Sequence, residues 1–229
     1  MGCLNNKMPK KPELIVMLTW HDYTVENAIQ VFEQSKDSMA RCWGMKEHSL
    51  PKEQMKQLYA YMRACGKTTF LEVVAYTEEE GLAGARLAAE CGCDILMGTK
   101  YSHAINQYCK DNGLKYMPFV GDIIDRPSVL KGEVDELVRE AKACMANGVY
   151  GINLLGYRYV GDCDALYEAF KREIDAPVCL AGSINSYDRL DEIKTLAPSL
   201  FTIGSAFFEH KFGDSIAEQI DNVCRYMQE

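Results

Sequence analysis

Ala176–Asp191 reads APVCLAGSINSYDRLD, and Leu200–Lys211 reads LFTIGSAFFEHK. Each is a short apolar run that stops at a Gly-Ser pair, Gly182-Ser183 in the first and Gly204-Ser205 in the second. After the first, a helix-like stretch begins at Ser186. Such runs read as buried parallel strands that open into helices. The backbone N–H groups at a strand-to-helix junction have no partner of their own, and two junctions side by side make an anion site.

Working outward, short β-branched runs alternate with helical patterns along the chain. Leu14–Leu18 reads as a buried strand, and Val25–Ser35 carries Val25, Ala28, Ile29 and Phe32 at helical spacing. Ala40–Met45 is a weaker strand, followed by a helix over Leu50–Cys65 with Pro51 in its first turn and Gly66 at its end. Thr68–Ala75 is the third strand, and Thr77 with Glu80 forms a capping box for the helix Glu78–Cys91. Asp94–Met97 and Lys115–Val120 are strands four and five, with helices over Ser102–Asp111 and Val134–Met145. Gly151–Leu155 is strand six, followed by the helix Asp164–Ile174. The two opening segments supply strands seven and eight, and Ile216–Met227 the last helix.

Eight strand–helix units with right-handed crossovers close an α/β (βα)8 barrel, and 229 residues is an ordinary length for one. The main competitor is an open doubly wound sheet, whose dinucleotide-binding version has no support because no G-x-G-x-x-G follows the first strand. The chain therefore reads as a single barrel domain over residues 1–229 with a tail at 1–12. In this fold the two Gly-Ser pairs fall after strands seven and eight, the commonest phosphate position. The expected partner is a phosphorylated small molecule. The longest irregular stretch, Gly121–Lys131, is a candidate active-site loop or a plain surface excursion.

Hydrophobic residues make up 48% of the chain, enough for a large core. Lys and Arg number 25 against 33 Asp and Glu, a formal charge of −8, and only Lys7, Lys10 and Lys11 cluster. A nucleic-acid partner wants a basic face, so none is expected. No apolar run approaches the roughly 20 residues of a membrane span. The ten cysteines show neither zinc nor disulfide spacing, which reads as reduced thiols in a cytoplasm. Met1-Gly2-Cys3 suggests myristoylation, but Asn6 stands where that motif wants Ser or Thr.

Catalytic groups of such barrels sit at the C-terminal strand ends. Glu72 interrupts the apolar run Phe70–Val74. Buried without a partner, its carboxyl would be raised toward general acid–base work; the other reading is an ion pair with a barrel lysine. Lys46, in the apolar company of Trp43 and Met45, and Lys100 are the candidate amines. Either could form an imine or stay charged and stabilise an enolate or a phosphate. Asp22 and Asp122, after strands one and five, would face one another across a bound carbonyl compound; a helix N-cap is the alternative for each. His21 is a third acid–base candidate or a packed ring, whereas His48, His103 and His210 share no metal spacing. Tyr157-Arg158-Tyr159 could reach over the pocket, with Arg158 as a second anion clamp beside Gly182, Ser183, Gly204 and Ser205.

On these residues the chain resembles the ribulose-phosphate-binding barrel superfamily. Pro177–Ile184 and Ile203–Phe212 are similar to the phosphate end of the histidine-biosynthesis ribonucleotide isomerases, in which aspartates follow strands one and five as Asp22 and Asp122 do. Ile95–Thr99 is similar to their fourth strand. Their third strand ends in a glycine-rich turn for a second phosphate, and here the sequence is Leu71-Glu72-Val73-Val74-Ala75-Tyr76, which points to one phosphate. Phe70–Val73 instead is similar to the Leu-Glu-Val run of the keto-deoxy-phosphogluconate aldolases, whose Schiff-base lysine on strand six has no counterpart in Gly151–Leu155. The resemblance implies an isomerase, epimerase or aldolase of a phosphorylated sugar or keto acid, and barrels that pair as homo-oligomers. It calls for no metal and no organic cofactor. A regulatory barrel that binds without turnover, and a flavin or folate barrel with the cofactor phosphate in the same cradle, are the other readings.

Overall fold

The computed structural model describes residues 11–125 and 127–229. The start of the tail, with the Met1-Gly2-Cys3 motif, lies outside the described residues. Eight strands form the wall: β1 Glu13–Met17, β2 Cys42–Lys46, β3 Thr68–Val73, β4 Ile95–Lys100, β5 Lys115–Phe119, β6 Ile152–Leu154, β7 Val178–Leu180 and β8 Leu200–Ile203. Around them lie α1 Ala28–Ser35, α2 Lys52–Ala64, α3 Glu78–Cys91, α4 His103–Asp111, α5 Val134–Ala146, α6 Cys163–Glu173, α7 Tyr187–Leu196 and α8 Ile216–Tyr226. A four-residue helix, Ser205–Phe208, follows β8. The expected (βα)8 barrel is the fold found.

The hydrogen-bonded order is β6-β7-β8-β1-β2-β3-β4-β5, and the ladders between neighbours are all parallel. The circle is nearly closed. Between β5 and β6 the ladder gives way to two bonds, from the Tyr150 and Gly151 N–H groups to the single Tyr116 carbonyl, at 2.9 and 3.4 Å.

Side chains alternate across the wall. Ile15, Met17, Cys42, Phe70, Ile95, Met97, Met117, Cys179 and Leu200 fill the barrel, while Phe32, Trp43, Tyr59 and Phe201 belong to the layer between wall and helices. Gly44 stands between the inward Cys42 and Lys46. A Cβ there would lie 2.5 Å from Met17 Sδ and 3.3 Å from Phe70 Cβ, so its missing side chain makes room for both. The same alternation sends Trp43 and Met45 outward, away from Lys46; the apolar company expected for that lysine is on the other face of its strand.

Local signals end the helices where the sequence places them. Thr77 and Ser215 form capping boxes, Ser186 accepts from Arg189 N–H, and Gly92 closes α3 at φ 69°. Two antiparallel hairpins were not expected. Thr19–Trp20 pairs with Tyr23–Thr24 beyond β1, and Asp122–Ile124 pairs with Val129–Lys131 within the stretch read as irregular. Each lies at the C-terminal end of the barrel, where it follows its strand.

Candidate active site

Lys46 and Glu72 are register partners at the C-terminal ends of β2 and β3, and alternation turns both inward. Lys46 Nζ lies 3.4 Å from Glu72 Oε2 and 2.9 Å from Asp22 Oδ1. The other Glu72 oxygen, Oε1, accepts from the fully buried Asn153 Nδ2 at 3.1 Å, reaching across from β6. Glu72 is thus paired with a barrel lysine. The Lys46 backbone is fixed as well: its N–H donates to Thr24 Oγ1 at 2.9 Å, and the Thr24 hydroxyl donates to its carbonyl at 2.8 Å.

Asp22 reaches this point from a two-residue hairpin turn. His21 has φ 48° and Asp22 φ 67°, the double left-handed backbone of a type I′ turn. The His21 N–H donates to Ser205 Oγ at 3.1 Å, which ties the turn to the second Gly-Ser pair. Asp22 Oδ2 lies 3.5 Å from Arg158 of the short turn Gly156–Arg158. Arg158 in turn lies over Gly182, where a Cβ would come within 3.0 Å of its Cγ. Gly182 and Ser183 both have positive φ, 92° and 53°. At Gly204 a Cβ would lie 2.4 Å from Thr19 Oγ1.

These groups line one cavity of about 220 Å³, with Asp22, Lys46, Glu72, Arg158, Gly182, Ser183, Gly204 and Ser205 all in its wall. That is below the ~300–1,000 Å³ of sites for drug-sized ligands. Burial alone would push the Lys46 ammonium down, but the facing Glu72 and Asp22 carboxylates outweigh it and hold the group above the ordinary lysine value. For Asp22, burial pushes upward, and Lys46 and Arg158 together bring the carboxyl below the usual carboxylate range.

Three expected residues stand elsewhere. Lys100 and Asp122 pair with one another at 3.2 Å on the exposed rim, their side chains 47% and 73% exposed. Asp122 therefore does not face Asp22 across the cavity; it begins the second hairpin. The His21 ring is exposed and packs against Trp20, with centroids 4.9 Å apart. Neither aspartate is an N-cap, since Asn27 and Glu133 precede the helices in question. α7 is capped by Ser186, where the sequence reading begins it, and the loop Gly182–Asn185 lies between β7 and that cap. Tyr157 and Tyr159 stay out of the cavity wall; Arg189 lies over the Tyr157 ring at 3.9 Å.

The wall also holds Thr19, Asn185, Thr202 and Glu209, which the sequence reading passed over, and Ser128 from Gly121–Lys131, the stretch read as a candidate active-site loop or a surface excursion. Period-two alternation on β8 could have indicated Thr202; the loop residues carry no comparable signal. Among the described residues no group of three or more His, Cys, Asp or Glu is placed to hold a metal ion, and no helix is long and apolar enough to cross a membrane.

No family model matches the chain, and no curated protein matches it. Solved structures do match in fold. Orotidine 5′-phosphate decarboxylase from Pyrococcus horikoshii aligns over 94% of this chain and 99% of its own, with TM-score 0.70 and 11% identity. A native KDPGal structure aligns over 94% of each chain with TM-score 0.69 and 13% identity. The N-acetylmannosamine-6-phosphate 2-epimerase from Clostridium perfringens aligns over 86% of this chain and 88% of its own, with TM-score 0.62 and 12% identity. These likenesses show the fold, a (βα)8 barrel, which is the fold the sequence reading expected.

Proposed function

We propose that the chain is an enzyme that moves a proton next to the carbonyl of a monophosphorylated sugar or keto acid. The observation that carries this reading is the Lys46 ammonium, buried between Asp22 and Glu72 in the cavity that also holds both Gly-Ser pairs. The phosphate would lie against Gly182-Ser183 and Gly204-Ser205, with Arg158 as its cation. One carboxylate, Glu72 or Asp22, would take the proton from the carbon beside the carbonyl. The electron pair would move onto the carbonyl oxygen, where Lys46 stabilises the negative charge. Return of a proton to the same carbon from the opposite face completes an epimerisation; return to the former carbonyl carbon, with the neighbouring hydroxyl proton passing to the former carbonyl oxygen, completes an isomerisation.

A protonated amine has no lone pair to offer a carbonyl, so the charged state of Lys46 supports charge stabilisation over imine formation. Buried charges held without use cost stability, which speaks against a silent binder. The named neighbours include a decarboxylase and an epimerase that act on phosphorylated compounds, in keeping with this class of ligand.

The test is incubation in deuterated water with a panel of ketose, aldose and keto-acid monophosphates, read by proton NMR and mass spectrometry, with parallel borohydride trapping. Solvent deuterium at the carbon beside the carbonyl, with no protein adduct, is the expected result. A reduced adduct on Lys46 would replace it with imine chemistry. Binding with neither exchange nor adduct would identify a regulatory barrel.

A further inference from the structure

We infer that Arg158 passes from Asp22 to the phosphate as the ligand binds, and that its departure uncovers Asp22, not Glu72, as the base that takes the proton. This deepens the proposed function and rests on its reading of the cavity as a phosphate site.

Arg158 is placed to serve either partner. Its Nη1 lies 3.5 Å from Asp22 Oδ2, longer than the ~2.7–2.9 Å of a close charge-assisted hydrogen bond. The same side chain borders the first Gly-Ser pair: a Cβ at Gly182 would lie 3.1 Å from its Nε and 3.1 Å from its Cδ. The backbone at both ends of the contact is fixed. The Arg158 N–H donates to the Leu155 carbonyl at 3.1 Å, and the His21 N–H ties the turn that carries Asp22 to Ser205 Oγ. An exchange of partners therefore needs only side-chain torsions of the arginine. A guanidinium meets a phosphate through two parallel N–H bonds, a stronger pairing than one long contact to a carboxylate oxygen.

The two carboxylates differ in what the exchange leaves them. Asp22 Oδ1 keeps the Lys46 ammonium at 2.9 Å, which holds the carboxylate in place, while Oδ2 is released by its cation. Glu72 keeps both partners, Lys46 at 3.4 Å on Oε2 and Asn153 Nδ2 at 3.1 Å on Oε1. Glu72 is thus the fixed counter-charge of Lys46, and Asp22 the group with an oxygen to offer. Burial pushes the Asp22 carboxyl upward while Lys46 and Arg158 hold it down, so departure of Arg158 makes it a stronger base. In the reaction the C–H bond beside the carbonyl breaks. Its proton goes to Asp22 Oδ2, and its electron pair moves onto the carbonyl oxygen beside Lys46.

The experiment is a double-mutant cycle on the full chain, read by calorimetric titration with inorganic phosphate: the parent, Asp22→Asn, Arg158→Gln and the double variant, each verified as folded by circular dichroism. Asp22→Asn should tighten phosphate about fivefold while Arg158 is present, because the cation no longer leaves a partner, and less than about twofold in the Arg158→Gln background. An equal gain in both backgrounds reports plain repulsion between Asp22 and the anion and overturns the exchange. A crystal structure of the parent with phosphate decides the case in which Arg158→Gln binds too weakly to close the cycle. Arg158 on the phosphate and away from Asp22 Oδ2 is expected, and a guanidinium that keeps Asp22 overturns the exchange. Failure of the parent and of Asp22→Asn to bind phosphate overturns the anion site and the exchange with it.

The choice of base is read by deuterium exchange with the compounds that the parent accepts. Glu72→Gln should retain exchange and Asp22→Asn should lose it; the reverse pattern overturns the assignment. A parent chain that exchanges no compound overturns the base together with the proposed function, while the phosphate cycle still decides whether Arg158 changes partners.

Discussion

Lys46 and Glu72 are 26 positions apart in the chain and directly opposite one another in the sheet, with Nζ 3.4 Å from Oε2. Each side chain is less than a tenth exposed, so neither charge is tolerable without the other. Lys46→Met would leave Asp22 and Glu72 facing one another. We expect a loss of about 3–5 kcal/mol in urea unfolding, the range for removal of one partner of a buried pair. Adding Glu72→Met should restore much of that stability while proton exchange stays absent.

Stability should decline at both ends of the pH scale. The Asp22 carboxyl titrates below its ordinary value of 3.8, so its contribution is present above that pH and is lost as pH falls through the folded value. Lys46 titrates above 10.5, so its contribution is complete below that pH and fades as pH rises through the folded value. Buried thiols act in the same direction: burial pushes Cys93, Cys109 and Cys144 up to about 12, while unfolded thiols ionise from about 9.0. Urea midpoints measured from pH 3 to 11 should therefore fall on the alkaline side from about pH 9 and on the acid side below about pH 4. Asp22→Asn should flatten the acid limb. An unchanged acid limb in that variant would refute the depressed Asp22 carboxyl.

Gly204→Ala places a methyl group 2.4 Å from Thr19 Oγ1 and 3.0 Å from the Thr19 carbonyl. The clash falls on the base of the first hairpin, where Thr19 pairs with Thr24. We expect about 1–3 kcal/mol of destabilisation from overpacking, with loss of phosphate affinity as the hairpin base is displaced. Gly66→Ala, also in a loop but with nothing within 4 Å, should keep phosphate affinity and lose only about 1 kcal/mol from its φ of 73°. Calorimetry with inorganic phosphate compares the two.

His21 occupies the first left-handed position of its turn, where asparagine is favoured. His21→Asn should raise the melting temperature slightly, by about 0.5 kcal/mol of stability, and leave ligand affinity within about twofold, since the ring points outward to Trp20. A large loss of affinity would return His21 to the site.

The barrel was legible because period and punctuation agree along the whole chain. β3, for example, was expected over Thr68–Ala75 and runs over Thr68–Val73, with Thr77 capping the next helix in both readings. Glu72, Lys46, Asp22, Arg158 and the two Gly-Ser pairs meet in one cavity, as strand-end position predicts. Partner choice was not legible. Whether Glu72 faces Lys46 or Lys100 depends on register between strands, which local sequence does not encode. The hairpin at His21-Asp22 was missed because it lacks the Asn-Gly signature of its turn type. Lys100 and Asp122 were misplaced for a related reason: residues at the very ends of β4 and of the loop after β5 turn outward, and strand-end position alone does not give the direction.

The break in the ladder between β5 and β6 gives the wall a soft joint. A carbonyl shared by two amides resists shear less than a full ladder, so compliance concentrates at Tyr116 and Tyr150. β6, β7 and β8 lie to one side of this joint and carry Arg158 and both Gly-Ser pairs, while Lys46 and Glu72 lie on the strands beyond β1. The Gly-Ser loops and the paired charges thus belong to opposite arcs of one ring. Flexing at the joint would change the span between them.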